Sequence, residues 1–166
     1  MVNNNNRFTG NGRISDGGWG SGRNERSSTG PFNPYVPLTE DNYVDLAEQS
    51  IRSIGEHHKN KRGEPDILST SKIRNILSLN AELYNDVINE PAEQLSLDFK
   101  GRINYMKVRI LYEAGRETTV KYFVEESNLI KNIDAIKGSR VKYMLFSRYL
   151  EALVAYRKFV FGNDAD

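Results

Sequence analysis

Three arginines, Arg102, Arg109 and Arg116, stand seven residues apart in the segment FKGRINYMKVRILYEAGRE, beside an apolar series Phe99, Ile103, Met106 and Ile110. Seven residues is close to two helical turns, so one unbroken helix would line the guanidiniums along one side about 10 Å apart. The apolar series would then face a core. A permanently charged, bidentate donor repeated along an exposed stripe suits a polyanion, of which RNA and DNA are the obvious examples. Local neutralisation is the competing reading, because Asp98 lies four residues before Arg102 and Glu113 lies between Arg109 and Arg116.

Catalytic alternatives are poorly supplied. His57 and His58 are the only histidines, with Glu56, Glu64 and Asp66 nearby. They lack the i, i+4 presentation of a helical zinc site, and a solvated polar loop is the favoured reading over a metal-dependent nuclease built on His57, His58 and Asp66. There is no phosphate-binding loop, dinucleotide fingerprint or nucleophile elbow. The absence of cysteine removes disulfide frameworks and thiolate metal sites. No enzymatic activity, cofactor or metal is therefore expected. With no apolar stretch of membrane-spanning length and no hydrophobic signal core, the chain reads as soluble and cytoplasmic, without a membrane partner.

The 166 residues suit one domain with an appendage, at a formal net charge of +1. That total gives no reason to expect a nucleic-acid partner, but the distribution does. Residues 1–37 take four of the 23 basic and two of the 22 acidic side chains, leaving a nearly neutral remainder in which the signs separate. Residues 40–56 hold Glu40, Asp41, Asp45, Glu48 and Glu56 against Arg52, whereas 100–121 and 137–158 each hold six basic groups and few acids. An acidic edge and a basic edge are the expected result. The candidate basic face comprises Lys72, Arg74, Arg102, Lys107, Arg109, Arg116, Lys137, Arg140, Arg148 and Lys158. Of these, Lys137, Arg140, Arg148 and Lys158 would project within about a quadrant of one helix, while Lys142 and Arg157 point elsewhere.

The elements that must position these residues are helical. Residues 1–37 read as a Gly/Asn/Arg-rich flexible arm in which Arg7, Arg13, Arg23 and Arg26 alternate with Phe8, Trp19, Phe32 and Tyr35. Such a segment can stack on unpaired bases or lie across a neighbouring subunit; a tail that merely solubilises is preferred on composition. From residue 38 to 166 helical periodicity dominates. A first helix starts near Thr39 with a stripe of Tyr43, Leu46, Ala47, Ile51 and Ile54. A second is capped by Thr70 or Ser71, uses Ile73, Ile76, Leu77, Leu83, Tyr84, Val87 and Ile88, and is ended by Pro91. The arginine helix should stop near Gly115. A fourth runs from Glu117 through Val120, Phe123, Val124 and Ile130, and Gly138-Ser139 opens the longest, with Val141, Leu145, Tyr149, Ala152, Tyr156 and Phe159. The expected fold is all-α, a compact bundle of about five helices behind a disordered or extended N-terminal arm.

Three segments in order, STSKIRNILS at 69–78, INYMKVRILYEAGRE at 103–117 and YLEALVAYRKFVFG at 149–162, resemble the small-subunit (Csm-type) family of type III-A CRISPR effector complexes. The resemblance covers about 40–162 and leaves the arm outside it. It implies a non-catalytic scaffold of helical bundles that stack head to tail as an inner filament, contacting guide RNA, target RNA and other subunits of the effector complex. The motif positions that carry over are Arg74 and Arg116, while Tyr112, Gly115, Glu151, Ala152, Ala155 and Tyr156 are expected to support the fold or subunit contacts. Extending the RNA face to the other basic residues is a geometric inference. The alternative is a helical protein–protein adaptor whose basic face docks an acidic partner.

Overall fold

A computed structural model describes residues 33–162; most of the predicted arm, residues 1–32, lies outside the described residues. Six helices follow one another: α1 (Tyr43–His57), α2 (Thr70–Val87), α3 (Leu97–Arg116), α4 (Thr118–Glu126), α5 (Leu129–Ile136) and α6 (Arg140–Phe161). No strand occurs among the described residues. The fold class is as expected, with one helix more than the periodicity indicated. The extra helix arises at Asn128, whose left-handed backbone (φ 48°) breaks the predicted fourth helix into α4 and α5. Asparagine is among the few non-glycine residues that visit this conformation, and here its side-chain amide is held by Asn33 C=O.

Helix ends also differ from the expected ones, for local reasons. Ser69, not Thr70 or Ser71, stands before α2, and the Thr70 hydroxyl accepts a hydrogen bond from Arg157 instead. The second helix ends at Val87, before Pro91 is reached. Ser96 caps α3 by accepting from the Phe99 N–H, and Ser139 caps α6 by accepting from Lys142 N–H. The arginine helix ends near Gly115 as expected, one residue further on. It runs on through Arg116, and the break falls at Glu117, whose extended backbone ends α3 and begins α4.

The core is continuous from α1 to α6. Ala47, Ile51 and Ile54 of α1, Ile73, Ile76, Leu83 and Val87 of α2, and Ile103, Met106 and Ile110 of α3 are buried as their spacing requires. Helix α6 runs through the middle, packing on α1, α2 and α5. Its burial departs from the predicted stripe: Val141 and Phe159 are exposed, and Tyr143, Phe146, Leu150 and Leu153 fill the core with Leu145 and Tyr149. A helix enclosed on most of its circumference has no single stripe to read. Each fully buried large side chain contributes about 1.5–3 kcal/mol.

Polar ties fix how the elements meet. Tyr143 and Ser147 of α6 both donate to the Asn80 side-chain oxygen of α2 inside the core, at 2.9 and 3.2 Å. The α2–α3 loop is pinned to the α5–α6 turn by Leu95 N–H to Gly138 C=O (2.8 Å) and Arg140 N–H to Glu93 C=O (2.9 Å). Where α1 crosses α6, Gly55 lets the Phe161 ring approach closely: a Cβ there would lie 2.5 Å from the ring, which would have to shift.

Candidate nucleic-acid interface

Because α3 is unbroken to Arg116, all three arginines share one helix, on the flank nearest α2. Arg102 reaches across to Asp86 of α2 at 2.7 Å, not back to Asp98. Arg116 bonds Glu113 at 3.6 Å within its own helix. Arg109 makes no ion pair among the described residues. The Tyr105 hydroxyl, hydrogen-bonded to it, holds its guanidinium above the usual range.

Each arginine has an aromatic companion that the spacing argument overlooked. The Arg102 guanidinium lies 5.5 Å from the Phe99 ring centroid and Arg116 lies 5.4 Å from that of Tyr112, within cation–π range. Tyr105 and Tyr112 are 60% and 59% exposed, so an Arg-plus-aromatic pair recurs every seven residues along a face open to solvent. The signal was in the sequence, as Tyr105–Arg109 and Tyr112–Arg116 at i, i+4. Tyr112 was expected to support the fold or subunit contacts. It supports no core, and Gly115, Glu151 and Ala155 are exposed as well, whereas Ala152 and Tyr156 pack against the core.

The other candidates lie on α2, α3, α6 and the turn before α6. Lys107 leaves the opposite flank of α3 and bonds Asp134 of α5 at 2.6 Å. Lys72 bonds Glu117 at 2.5 Å, and this hydrogen bond holds the Glu117 carboxyl below the usual carboxylate range. Arg74 is exposed and turned about 200° around α2 from Lys72, away from that bridge. Lys137 precedes α6 in a left-handed conformation (φ 46°), so it shares no helix with Arg148 and Lys158. Lys158 is exposed on the last turn of α6.

Helix α6 spends its arginines on the fold. Arg140 donates from Nε to Val87 C=O (3.2 Å) and from Nη2 to Ile88 C=O (3.0 Å), satisfying carbonyls at the C-terminal end of α2. Arg157, predicted to point elsewhere, is 3% exposed and donates to Leu68 C=O, the Thr70 hydroxyl and Gly162 C=O. Arg148 forms a two-oxygen contact with Glu40 at 2.8 and 2.9 Å. Because α1 packs on α6, the predicted acidic segment and the last basic helix are neighbours, not separate edges.

The histidine loop is a structural element. His57 closes α1, while the ring of His58 stacks on Tyr122 (centroids 3.8 Å apart) and its Nε2 lies 3.1 Å from the buried Glu126 carboxylate. Ser53 donates to the other Glu126 oxygen at 2.9 Å. Thus the expected solvated loop contributes a packed partner for a buried acid. No group of three or more metal-ligating side chains occurs among the described residues, and no described helix is long and apolar enough to cross a membrane.

Comparison with known proteins now adds to this geometry. The sequence model of the family described as Csm2 Type III-A matches residues 41–163, spanning all six helices. The chain belongs to that family. It is 38% identical over 127 residues to the "CRISPR system Cms protein Csm2" of Streptococcus thermophilus, covering 76% of this chain and 98% of the relative. The Mycobacterium tuberculosis (strain CDC 1551 / Oshkosh) protein of the same name is 36% identical over 129 residues, covering 78% and 99%. That of Enterococcus italicus is 38% identical over 108 residues, covering 61% of this chain and 77% of the relative. These Csm2 proteins thus match the helical body, and the segment before residue 41 lies outside the family's model.

Proposed function

We propose that this chain is the non-catalytic small subunit of a type III-A CRISPR effector complex and that it holds the guide–target RNA duplex through phosphate contacts. Copies stack as an inner filament beside the guide RNA, in contact with the other subunits. Family membership supports the assignment to the complex. The single observation that supports an RNA contact is the solvent-facing flank of α3, where Arg109 makes no close ion pair among the described residues and Arg116 sits on Tyr112. A subunit serving every guide sequence must bind without reading bases, and arginine to phosphate supplies that chemistry. The surface ion pairs of Arg102 and Arg116 exchange readily for phosphate because exposed pairs contribute little, about 0.2–1 kcal/mol.

The test is charge reversal at Arg109 and Arg116 together, in the assembled complex. Target-RNA affinity falls at least tenfold for all sequences alike, and the slope of log K against log salt flattens by about two. Unchanged affinity and slope would overturn the assignment. The adaptor reading draws on exposed Val108, Leu111 and Tyr112 beside the arginines. It predicts that the natively purified assembly survives nuclease treatment with its composition intact.

A further inference from the structure

We propose that the groove between α3, α4 and α5 is the seat of this chain's own N-terminal segment, with Trp19 as the side chain that anchors there. The groove encloses about 570 Å³, with walls from Leu111 and Ala114 of α3, Val124 of α4 and Ile130 of α5, and Lys121 and Lys131 at its rim. A concave, largely apolar site of this size on a small domain marks a binding surface.

The chain itself leads to this place. The Asn33 side-chain amide donates to Glu126 C=O at 3.2 Å, and the Asn128 side-chain amide donates to Asn33 C=O at 3.1 Å. Asn128 also lines the groove. Two residues on, the Tyr35 ring lies 5.6 Å from the ammonium of Lys131, another residue of the rim. The first described residues are therefore tied to the edge of the cavity, and residues 1–32 depart from there.

Length and chemistry identify the occupant. The Streptococcus thermophilus relative is matched over 98% of its length by 127 of this chain's 166 residues, and the family's model begins at residue 41. The preceding segment is thus additional to the shared body, and it carries Phe8, Trp19 and Phe32 on a glycine-rich chain. Tryptophan presents the largest apolar surface of any side chain and one N–H donor. The groove offers aliphatic walls, and its rim carries the exposed Lys121–Glu125 ion pair (3.7 Å), whose carboxylate can accept from an indole N–H. Trp19 lies fourteen positions before Asn33; a glycine-rich tether of that length spans about 20 Å r.m.s., which gives an effective concentration in the millimolar range. Docking of the chain's own segment is accordingly favoured over that of a second copy at ordinary protein concentrations.

Trp19 is the only tryptophan, so its fluorescence reports this event alone. In the full-length, nucleic-acid-free protein, its emission lies to the blue of that in denaturant, and acrylamide quenches it several-fold less than a free indole. Both properties stay constant on hundredfold dilution. Leu111→Asp, at a half-exposed position, and Gly115→Leu, which fills the groove from an open helical glycine, each return Trp19 to solvent values while far-ultraviolet dichroism is unchanged. Leucine improves helix propensity at residue 115, so loss of docking there is separable from loss of the fold. Solvent-like emission in the unaltered chain overturns the proposal. So does protection that disappears on dilution, which would assign the occupant to another copy, or protection that survives both substitutions, which would bury Trp19 elsewhere.

Discussion

Helices α3 and α6 carry similar basic residues and use them in opposite ways. On α6, Arg157 and Arg140 are bound to backbone carbonyls of other elements, and Arg148 is engaged by the Glu40 carboxylate. On α3, Arg109 and Arg116 stand on a solvent-facing flank beside exposed tyrosines. The difference follows from position in the bundle. A central helix meets the polar ends of its neighbours on several sides and must satisfy them, whereas a peripheral helix commits only its apolar face. Charge count along the chain does not separate the two cases; the groups that packing brings beside each arginine do.

Four measurements bear on this contrast. The largest effect is expected from Arg157→Met, which leaves buried carbonyls without a donor and lowers unfolding free energy by about 3 kcal/mol in a denaturant titration. A result near zero would place Arg157 with the α3 arginines. Alkaline pH weakens the same central helix. Burial raises the Tyr149 hydroxyl from 10.0 to about 12, so the unfolded chain loses that proton first as pH rises. Stability is therefore intact below pH 10 and declines between pH 10 and about 12, by on the order of 2 kcal/mol, as equilibrium unfolding at stepped pH would register. Third, the charge reversal at Arg109 and Arg116 that weakens RNA binding at least tenfold is expected to leave the melting temperature unchanged. The matched reversal at Arg148 and Lys158 of α6 changes RNA affinity less than threefold; equal losses from both pairs would erase the distinction between the helices. Smallest is Arg148→Ala, where loss of an exposed ion pair lowers stability by less than about 1 kcal/mol.

Much of the architecture was legible because periodicity reports burial on helices with a single buried face. The stripes of α1, α2 and α3 were read correctly for that reason, apart from Ile88, which is exposed just past the end of α2, and the ordered motifs led to the right family. On α6 the same reading failed at Val141 and Phe159, since a helix packed by α1, α2 and α5 has no one stripe. The end of the arginine helix was placed near Gly115 and falls at Arg116; Gly115 keeps negative φ, and the chain turns at Glu117. The candidate site was only partly legible. The arginine spacing was evident, but the partners Asp86, Asp134 and Glu40 lie 16, 27 and 108 residues away in sequence from Arg102, Lys107 and Arg148. Likewise, His58 was taken as solvated because Tyr122 and Glu126 come more than sixty residues later.

The sequence by itself determined that the chain forms amphipathic helices, that Arg102 and Arg109 share a side of one of them, and that its motifs are those of Csm2 proteins. These are properties of spacing and order, which local backbone geometry converts directly into faces. Tertiary structure alone decided which cations remain available. Whether an arginine caps a distant helix, balances a carboxylate or faces water depends on groups brought near only when the helices pack, and burial makes leaving such groups unsatisfied too costly for the choice to be local.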